Sequence, residues 1–431
     1  MILIYTNITS ARLQYICEFI FKEQLGIDFR ITTVDDLFNN FEGFKINYSA
    51  KDFNDSFKIQ NTQLLFETDI RQQNIECYQE DTYTAFYKIN NSDISFDIFA
   101  ACFYLLSRYE EYLPHQKDMY SRYAHQNSLA FKEGFLNEPI INKWLEDFKN
   151  ILKNTFPTIN YKLLNFKFLP TYDIDIGWSY KNKGLIRNLG GFIRSPAFER
   201  IKVLTGSEKD PYDSYGFLNN IHQHYKLDPL YFFLVAAAGS RYDKNISSGS
   251  KAMQVLINEH ALKYKVGLHP SWKSNENISI LKEEKKYLET YAEKNIPVIH
   301  SRQHYIKFDL PQTFECLIEA GIQNDYSMGY GSINGFRASV ASAFYWYNLK
   351  TEKKTGLCIH PFCFMDANSY YEQHLNSAEA FNELVHYYNQ CKNVNGQMIT
   401  IFHNNFLGTE KRFTGWKEMY EKFVAVVETK N

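Results

Sequence analysis

The sequence predicts an α/β protein in two units: a smaller mixed α/β domain over residues 1–160, then a mainly parallel sheet or (β/α) barrel over residues 161–431. Three observations predict it. From residue 165 onward, short apolar runs alternate with stretches of helical periodicity, the signature of βαβ units. Ahead of residue 160, strands and helices are mixed without that regular alternation. The composition, 45% hydrophobic and 22% charged over 431 residues, suits folded cores and a length of two domains.

In the first unit, Met1–Tyr5 is an apolar run and reads as a strand. Arg12–Gln24 has helical spacing at Leu13, Ile16, Cys17, Ile20 and Phe21. Gln63–Phe66 and Tyr83–Tyr87 read as strands, and Ser95–Tyr112 as a helix with a wide apolar face. Pro139–Asn154 is a helix with proline at its start. In the second unit, strands are expected at 165–172, Leu230–Ala238, Tyr264–Leu268, Val298–His300, Ile322–Tyr326 and Met398–His403. Helices are expected at Phe217–Tyr225, Lys251–Leu262, Asn277–Lys294, Pro311–Ala320, Glu379–Gln390 and near Thr414–Val427.

Several classes of function are excluded early. The 47 basic and 49 acidic residues leave a net charge of −2, which disfavours a nucleic-acid partner. The longest apolar runs, Ile98–Leu106 and Leu230–Ala238, fall short of the roughly 20 residues of a membrane span. The opening MILIYTN has no basic and apolar leader pattern, and the seven cysteines form no CxxC pair. A cytoplasmic location is the expectation. The 72 aromatics, 17% of the chain, fill cores or line a sugar site; their number alone does not say which.

Residues 181–209 break the alternation. They hold seven Lys/Arg against two Glu, a net +5, with apolar residues interleaved. The segment reads as a solvated helical insertion, or as a lid or patch for an anionic substrate or membrane surface.

Ligands of α/β folds gather at the carboxyl ends of strands. Four predicted strand ends carry reactive side chains: Asp173 and Asp175 in TYDID, His269 in GLHPSW, Arg302 and His304 in SRQHY, and His403 in IFHNN. Two carboxylates two residues apart share a face of a strand and need a cation between them. One Asp and two His can make a three-ligand metal site with an open position, and a second Asp and His can serve as base and acid.

In this order the motifs resemble the polysaccharide deacetylases of the NodB homology type, carbohydrate esterase family 4. TYDID is similar to that family's T-F-D-D motif, HPSW to the start of its H-S/T-x-x-x-H motif, Arg302 to the arginine of R-x-P-Y, Asp325-Tyr326 loosely to an aspartate motif, and Ile401-Phe402-His403 to L-x-H. The whole chain also looks like a bacterial subgroup with an added N-terminal domain of unknown function. The resemblance implies a distorted or incomplete (β/α) barrel of the NodB type and metal-assisted removal of an N- or O-linked acetyl group from a sugar. Asp173 would be the general base, tuned by Arg302. Asp175 and His269 would ligate a divalent metal, most readily zinc, and His403 would be the general acid.

The chain departs from the family pattern at three places. Lys273 and Ser274 stand where a second metal-binding His belongs, Ile174 separates the two aspartates, and His304 replaces a proline. His304, of the same parity as Arg302, is therefore the expected third ligand. Arg337 is expected to clamp a substrate anion, and Asp325 to orient His403 or Arg302. Trp178, Trp272 and Tyr305 are candidates for stacking on sugar faces. His360 is a reserve ligand, while His222, His224 and His260 read as structural. The expected partner is a carbohydrate, free or linked to lipid or nucleotide, with homo-oligomer formation left open. A non-sugar amidohydrolase and a catalytically silent carbohydrate-binding protein are the rival readings.

Overall fold

The computed structural model describes residues 1–194, 197–236, 239–292 and 296–429. Strands β1 (Ile2–Tyr5), β2 (Phe29–Thr32), β3 (Phe44–Asn47) and β4 (Phe57–Lys58) form a parallel sheet in the order β2-β1-β3-β4. All four residues of β1 are buried, as expected of an inner parallel strand covered on both faces. Ser10 starts the first helix, Ala11–Cys17, its hydroxyl accepting from the Leu13 amide at 3.0 Å. A hairpin of β5 (Tyr78–Glu80) and β6 (Tyr83–Ala85) follows. The strand expected at Gln63–Phe66 is instead a single helical turn at Leu64–Phe66. The helix expected to reach Tyr112 ends at Leu106, because Arg108 takes a left-handed conformation with φ 53°.

The second unit is one nine-stranded sheet. Its strands are β7 (Lys167–Ile174), β8 (Leu230–Leu234), β9 (Lys265–His269), β10 (His300–Ser301), β11 (Asn324–Asp325), β12 (Phe344–Asn348), β13 (Lys353–Ile359), β14 (Phe364–Met365) and β15 (Gln397–His403), in the order β12-β13-β11-β10-β9-β8-β7-β15-β14. Every pairing is parallel except β12 with β13. The LYFFL of β8 is buried throughout, matching its place between β7 and β9. Residues 237–238, the predicted end of that strand, and 293–294, the predicted end of the helix now bounded as Ile278–Tyr291, lie outside the described residues.

The expectation of a barrel is met only in its parallel α/β character. Among the described residues β12 and β14 are not paired, so the sheet does not close. The first unit covers the β12 edge: the Tyr15 hydroxyl donates to the Tyr345 carbonyl at 2.8 Å, and Tyr15 and Phe103 pack on Tyr347. One buried apolar cluster runs from Ile2 through both units to Val427.

Buried ion pairs join the units as well. Arg337 donates from Nε and Nη2 to Glu111 at 2.9 and 2.6 Å and from Nη1 to the Gly329 carbonyl, while Arg108 donates to Glu111 at 2.8 Å. Burial works against the charge on Glu111, but Arg337 and then Arg108 outweigh it and hold its carboxyl down at about 2. This corrects the substrate clamp expected of Arg337, because all three of its nitrogens are occupied inside the protein. Arg12 likewise grips Glu352 at 2.6 and 3.0 Å.

The basic insertion forms two helices, Leu185–Arg194 and Phe198–Leu204, with residues 195–196 outside the description. Leu189, Ile193 and Phe198 are 63%, 74% and 79% exposed. Among the described residues no helix is long and apolar enough to cross a membrane.

His222 and His260, expected to be structural, are buried beneath the sheet. Tyr172 Oη lies 2.8 Å from His222 Nε2, and His260 Nδ1 donates to the Leu256 carbonyl at 2.8 Å. Burial pulls them down to about 3 and about 4. Both stay neutral in the fold while the unfolded chain takes up protons near pH 6.5. The contribution of these two histidines to stability is therefore fully present above about pH 6.5 and is lost on acidification toward pH 4, by up to about 1.4 kcal/mol per pH unit for each. Urea midpoints of the wild type and His260→Gln between about pH 7.5 and 5 check this: the wild type should lose stability relative to the variant as the pH falls.

Candidate active site

The parallel register places the reactive side chains side by side. Asp173 of β7 pairs in register with His403 of β15, and Leu234 of β8 with His269 of β9. Alternation along β7 sends Tyr172 to His222 on one face and Asp173 to the other. Asn245 ties the strand ends by donating to the carbonyls of Ile174 and Leu234 at 3.4 and 2.9 Å.

Asp173 is bound by Arg302, whose Nη1 donates to Oδ1 at 2.8 Å and whose Nε donates to the Tyr326 carbonyl at 3.1 Å. The guanidinium lies over the Phe232 ring, 4.3 Å from its centroid. Phe232 fits there because residue 267 is glycine: a Cβ would come within 2.6 Å of the ring. Asp173 is 1% exposed and Arg302 is fully buried, so this pair is shielded from water.

Three imidazoles converge on Asp175. His269 Nδ1 donates to the Arg302 carbonyl at 2.5 Å, leaving Nε2 3.1 Å from Asp175 Oδ1. His304 Nδ1 lies 3.1 Å from Asp243 Oδ1, leaving Nε2 3.5 Å from Asp175 Oδ2. His403 Nδ1 lies 2.6 Å from Asp366 Oδ1, with Nε2 again 3.5 Å from Asp175 Oδ2. Each ring is thus oriented through Nδ1 by an outer oxygen while Nε2 faces the cavity. Metal-ligating histidines are oriented in the same way.

Asp175, His269 and His304 bring one donor atom each within 4.8 Å of one another, a spacing that one metal ion can bridge. Asp175 Oδ1 is buried without a well-directed hydrogen bond among the described residues. The residues therefore fit a small divalent ion. Burial opposes the charge on Asp175, but His304, with His269 and His403 close by, holds its carboxyl well below the usual range. Burial also works against protonation of His304 and His403. Asp175 and Asp243 nevertheless raise His304 to about 9, and Asp366, then Asp175, raises His403 to about 10.

These groups form the floor of a cavity of about 480 Å³ walled by Tyr305, Tyr371, Phe406 and Lys244, and by Tyr120 and Arg122 from the first unit. The structure thus brings together Asp173, Asp175, His269, Arg302, His304 and His403, with Tyr305 on the wall. Other expected residues lie elsewhere. Trp272 sits behind Tyr305 and stacks on Tyr242 at 3.9 Å. Asp325 makes no hydrogen bond to His403 or Arg302; it accepts from Ser301 and Ser327, and burial raises it to about 6 against the nearby charge of Arg302. His360 stacks on Tyr326 and bonds Asn324, away from the cavity, and Trp178 packs on Tyr215. Ser274 spends its hydroxyl on the Ser271 carbonyl.

Asp243 and Asp366 are missing from the sequence-based set. Asp366 had the same signal as the others, a polar residue closing the apolar run of β14. Tyr120 and Arg122 had none, being far from any predicted strand end.

Residues 2–157 match the model of a family described only as a Family of unknown function (DUF7033). No curated protein matches the chain. Similar solved structures include a protein from Mycobacterium smegmatis assigned to the polysaccharide deacetylases, 12% identical with a TM-score of 0.40, over 62% of this chain and 84% of that one. Another, from Pseudomonas aeruginosa PAO1 and assigned likewise, is 10% identical with a TM-score of 0.39, over 62% and 86%. A 4-alpha-glucanotransferase from Thermococcus litoralis is 10% identical with a TM-score of 0.36, over 62% and 37%.

The purified protein is expected to hold about one divalent ion per chain. His304→Ala and His269→Ala should lose it, and Asp243→Ala should weaken it about 10–100-fold. Metal analysis checks this, with His360→Ala expected to keep its ion. Full retention by both ligand variants rules the site out.

Proposed function

We propose that the chain is a metal-dependent hydrolase that removes an acetyl group from an N-acetylated sugar or polysaccharide precursor. The observation that supports this best is the meeting, in one cavity, of an arginine-held carboxylate, an Asp-His-His donor set and a carboxylate-backed histidine. A divalent ion held by Asp175, His269 and His304, most readily zinc, would supply Lewis acidity toward the acyl carbonyl and the attacking water.

The chain's own residues account for the proton movements. Arg302 fixes Asp173 through Oδ1 and leaves Oδ2 to take a proton from the attacking water. His403, anchored by Asp366 through both its ring and its backbone amide, is placed to protonate the departing nitrogen. The low-dielectric floor strengthens each of these interactions, because Asp173, Arg302 and Asp366 are buried. The rings of Tyr305, Tyr371 and Phe406 on the wall favour a sugar over other amides.

Acetate release from N-acetylated sugars tests this reading. Asp173→Asn is expected to lower kcat/KM by about 10²–10⁴-fold while the ion is retained. Release from non-sugar amides alone would move the assignment to another C–N hydrolase. Sugar binding with no release from any substrate would leave a carbohydrate-binding protein.

A lipid-linked form of the substrate fits the basic insertion. Arg187 donates to the carbonyls of Lys244 and Asn245, which ties the insertion to the segment bearing Lys244 on the cavity wall. Its exposed Leu189, Ile193 and Phe198 beside basic residues match an anionic lipid surface. Co-sedimentation with phosphatidylglycerol vesicles is expected for the wild type and lost when these three become Ser. Equal sedimentation of both proteins sinks the idea.

A further inference from the structure

The segment Lys117–Tyr123 belongs to the first unit, yet it reaches the cavity of the second. It is a closed turn that is held from several sides. Lys117 and Tyr123 form an antiparallel bridge across its base. Asp118 Oδ1 accepts from the amides of Tyr120 and Arg122 at 2.9 and 3.0 Å, and its Oδ2 accepts from Arg122 Nε at 2.6 Å. Lys117 Nζ reaches Asp309 at 2.6 Å, and Arg122 Nη1 donates to the Tyr305 carbonyl at 2.7 Å. That last contact needs a glycine at 331, because a Cβ there would lie 1.9 Å from Arg122 Nη1.

Only one ring of this turn's tip faces the cavity. Met119 is 85% exposed to solvent, whereas Tyr120 is half-buried and lines the cavity. Its ring lies 5.2 Å from that of Tyr305 at an interplanar angle of 35°, and 4.8 Å from the Arg122 guanidinium. Tyr305 itself adopts φ 60°, ψ 10° directly after the ligand candidate His304. A side chain seldom adopts this conformation unless its surroundings impose it. Arg122 imposes it from the first unit, and Trp272 backs the ring at 5.6 Å. The result is a preformed, half-buried pair of tyrosine rings at the rim of the cavity, held in one aromatic cluster with Tyr242 and Trp272.

We propose that Tyr120 and Tyr305 form a binding subsite for a pyranose ring next to the one held over the cavity floor, so that the first unit selects extended over single sugars. Such rings bind the apolar faces of sugars at low entropic cost, since each is already fixed. The proposal rests on the carbohydrate reading above only for the chemical class of the occupant.

Binding, measured apart from turnover, tests it. Tetra-N-acetylchitotetraose is the probe, with N-acetylglucosamine as the single-ring comparison and calorimetry on the full chain as the readout. The wild type is expected to bind the tetramer more tightly than the monosaccharide. Tyr120→Ala should weaken tetramer binding about tenfold, the loss of one stacked ring, while Tyr120→Phe restores it. Gly331→Ala, which displaces Arg122, should weaken it similarly. Metal content and the thermal midpoint of Tyr120→Ala should match the wild type, which separates a lost subsite from a lost fold. Tetramer binding that Tyr120→Ala leaves intact overturns the subsite, as does a wild type that binds neither sugar. Tyr120-dependent binding without acetate release upholds the subsite and removes the deacetylase reading instead.

Discussion

The site depends on an imbalance of fixed charge. Asp173, Asp175, Asp243 and Asp366 surround three imidazoles, and Arg302 is the guanidinium that answers them. Carboxylates this close need added positive charge, which protons on His304 and His403 supply in the protein alone. A divalent ion does the same with one species. The fold exists to hold this imbalance in register: parallel pairing sets Asp173 beside His403, and the long β7–β15 ladder resists the repulsion.

Support for the site comes in layers. Gly267 makes room for Phe232, Phe232 carries Arg302, and Arg302 holds Asp173 by its side chain and His269 by its carbonyl. A methyl group added at residue 267 would act on the carboxylate through three contacts, without touching it. Asp243 performs a similar double task, orienting His304 and accepting from the Trp272 amide at 3.0 Å.

Much of this was legible in the sequence, for a definite reason. A polar residue that closes an apolar run is a local signal, so Asp173, Asp175, His269, Arg302, His304 and His403 could be read as strand ends, although β10 stops at Ser301 and a helical turn, not strand parity, places His304. The same rule, applied to FCFMD, reaches Asp366. Arg337 misled because burial, which decides whether a charged group serves a ligand or the fold, depends on long-range packing: Glu111 lies 226 residues before it. Whether the sheet closes stayed undecided in the sequence for a related reason. Its β12 edge is covered by residues near position 15 and position 103, and no local pattern in β12 records that cover. Tyr120 and Arg122 reach the cavity through tertiary contacts alone.

The shared carboxylate of Glu111 also bears on inheritance. Arg108 and Arg337, from different units, both rely on it in a buried setting. Exchanging the first unit for a foreign one would strand the Arg337 guanidinium without its counter-ion, at a cost of about 3–5 kcal/mol, a large part of a typical domain's whole stability, whereas exchanging the second would leave Arg108 its own Glu110 and Glu111. The junction therefore acts against shuffling in one direction: a descendant that kept the sheet but lost its companion would have to rebuild the seam around Arg337.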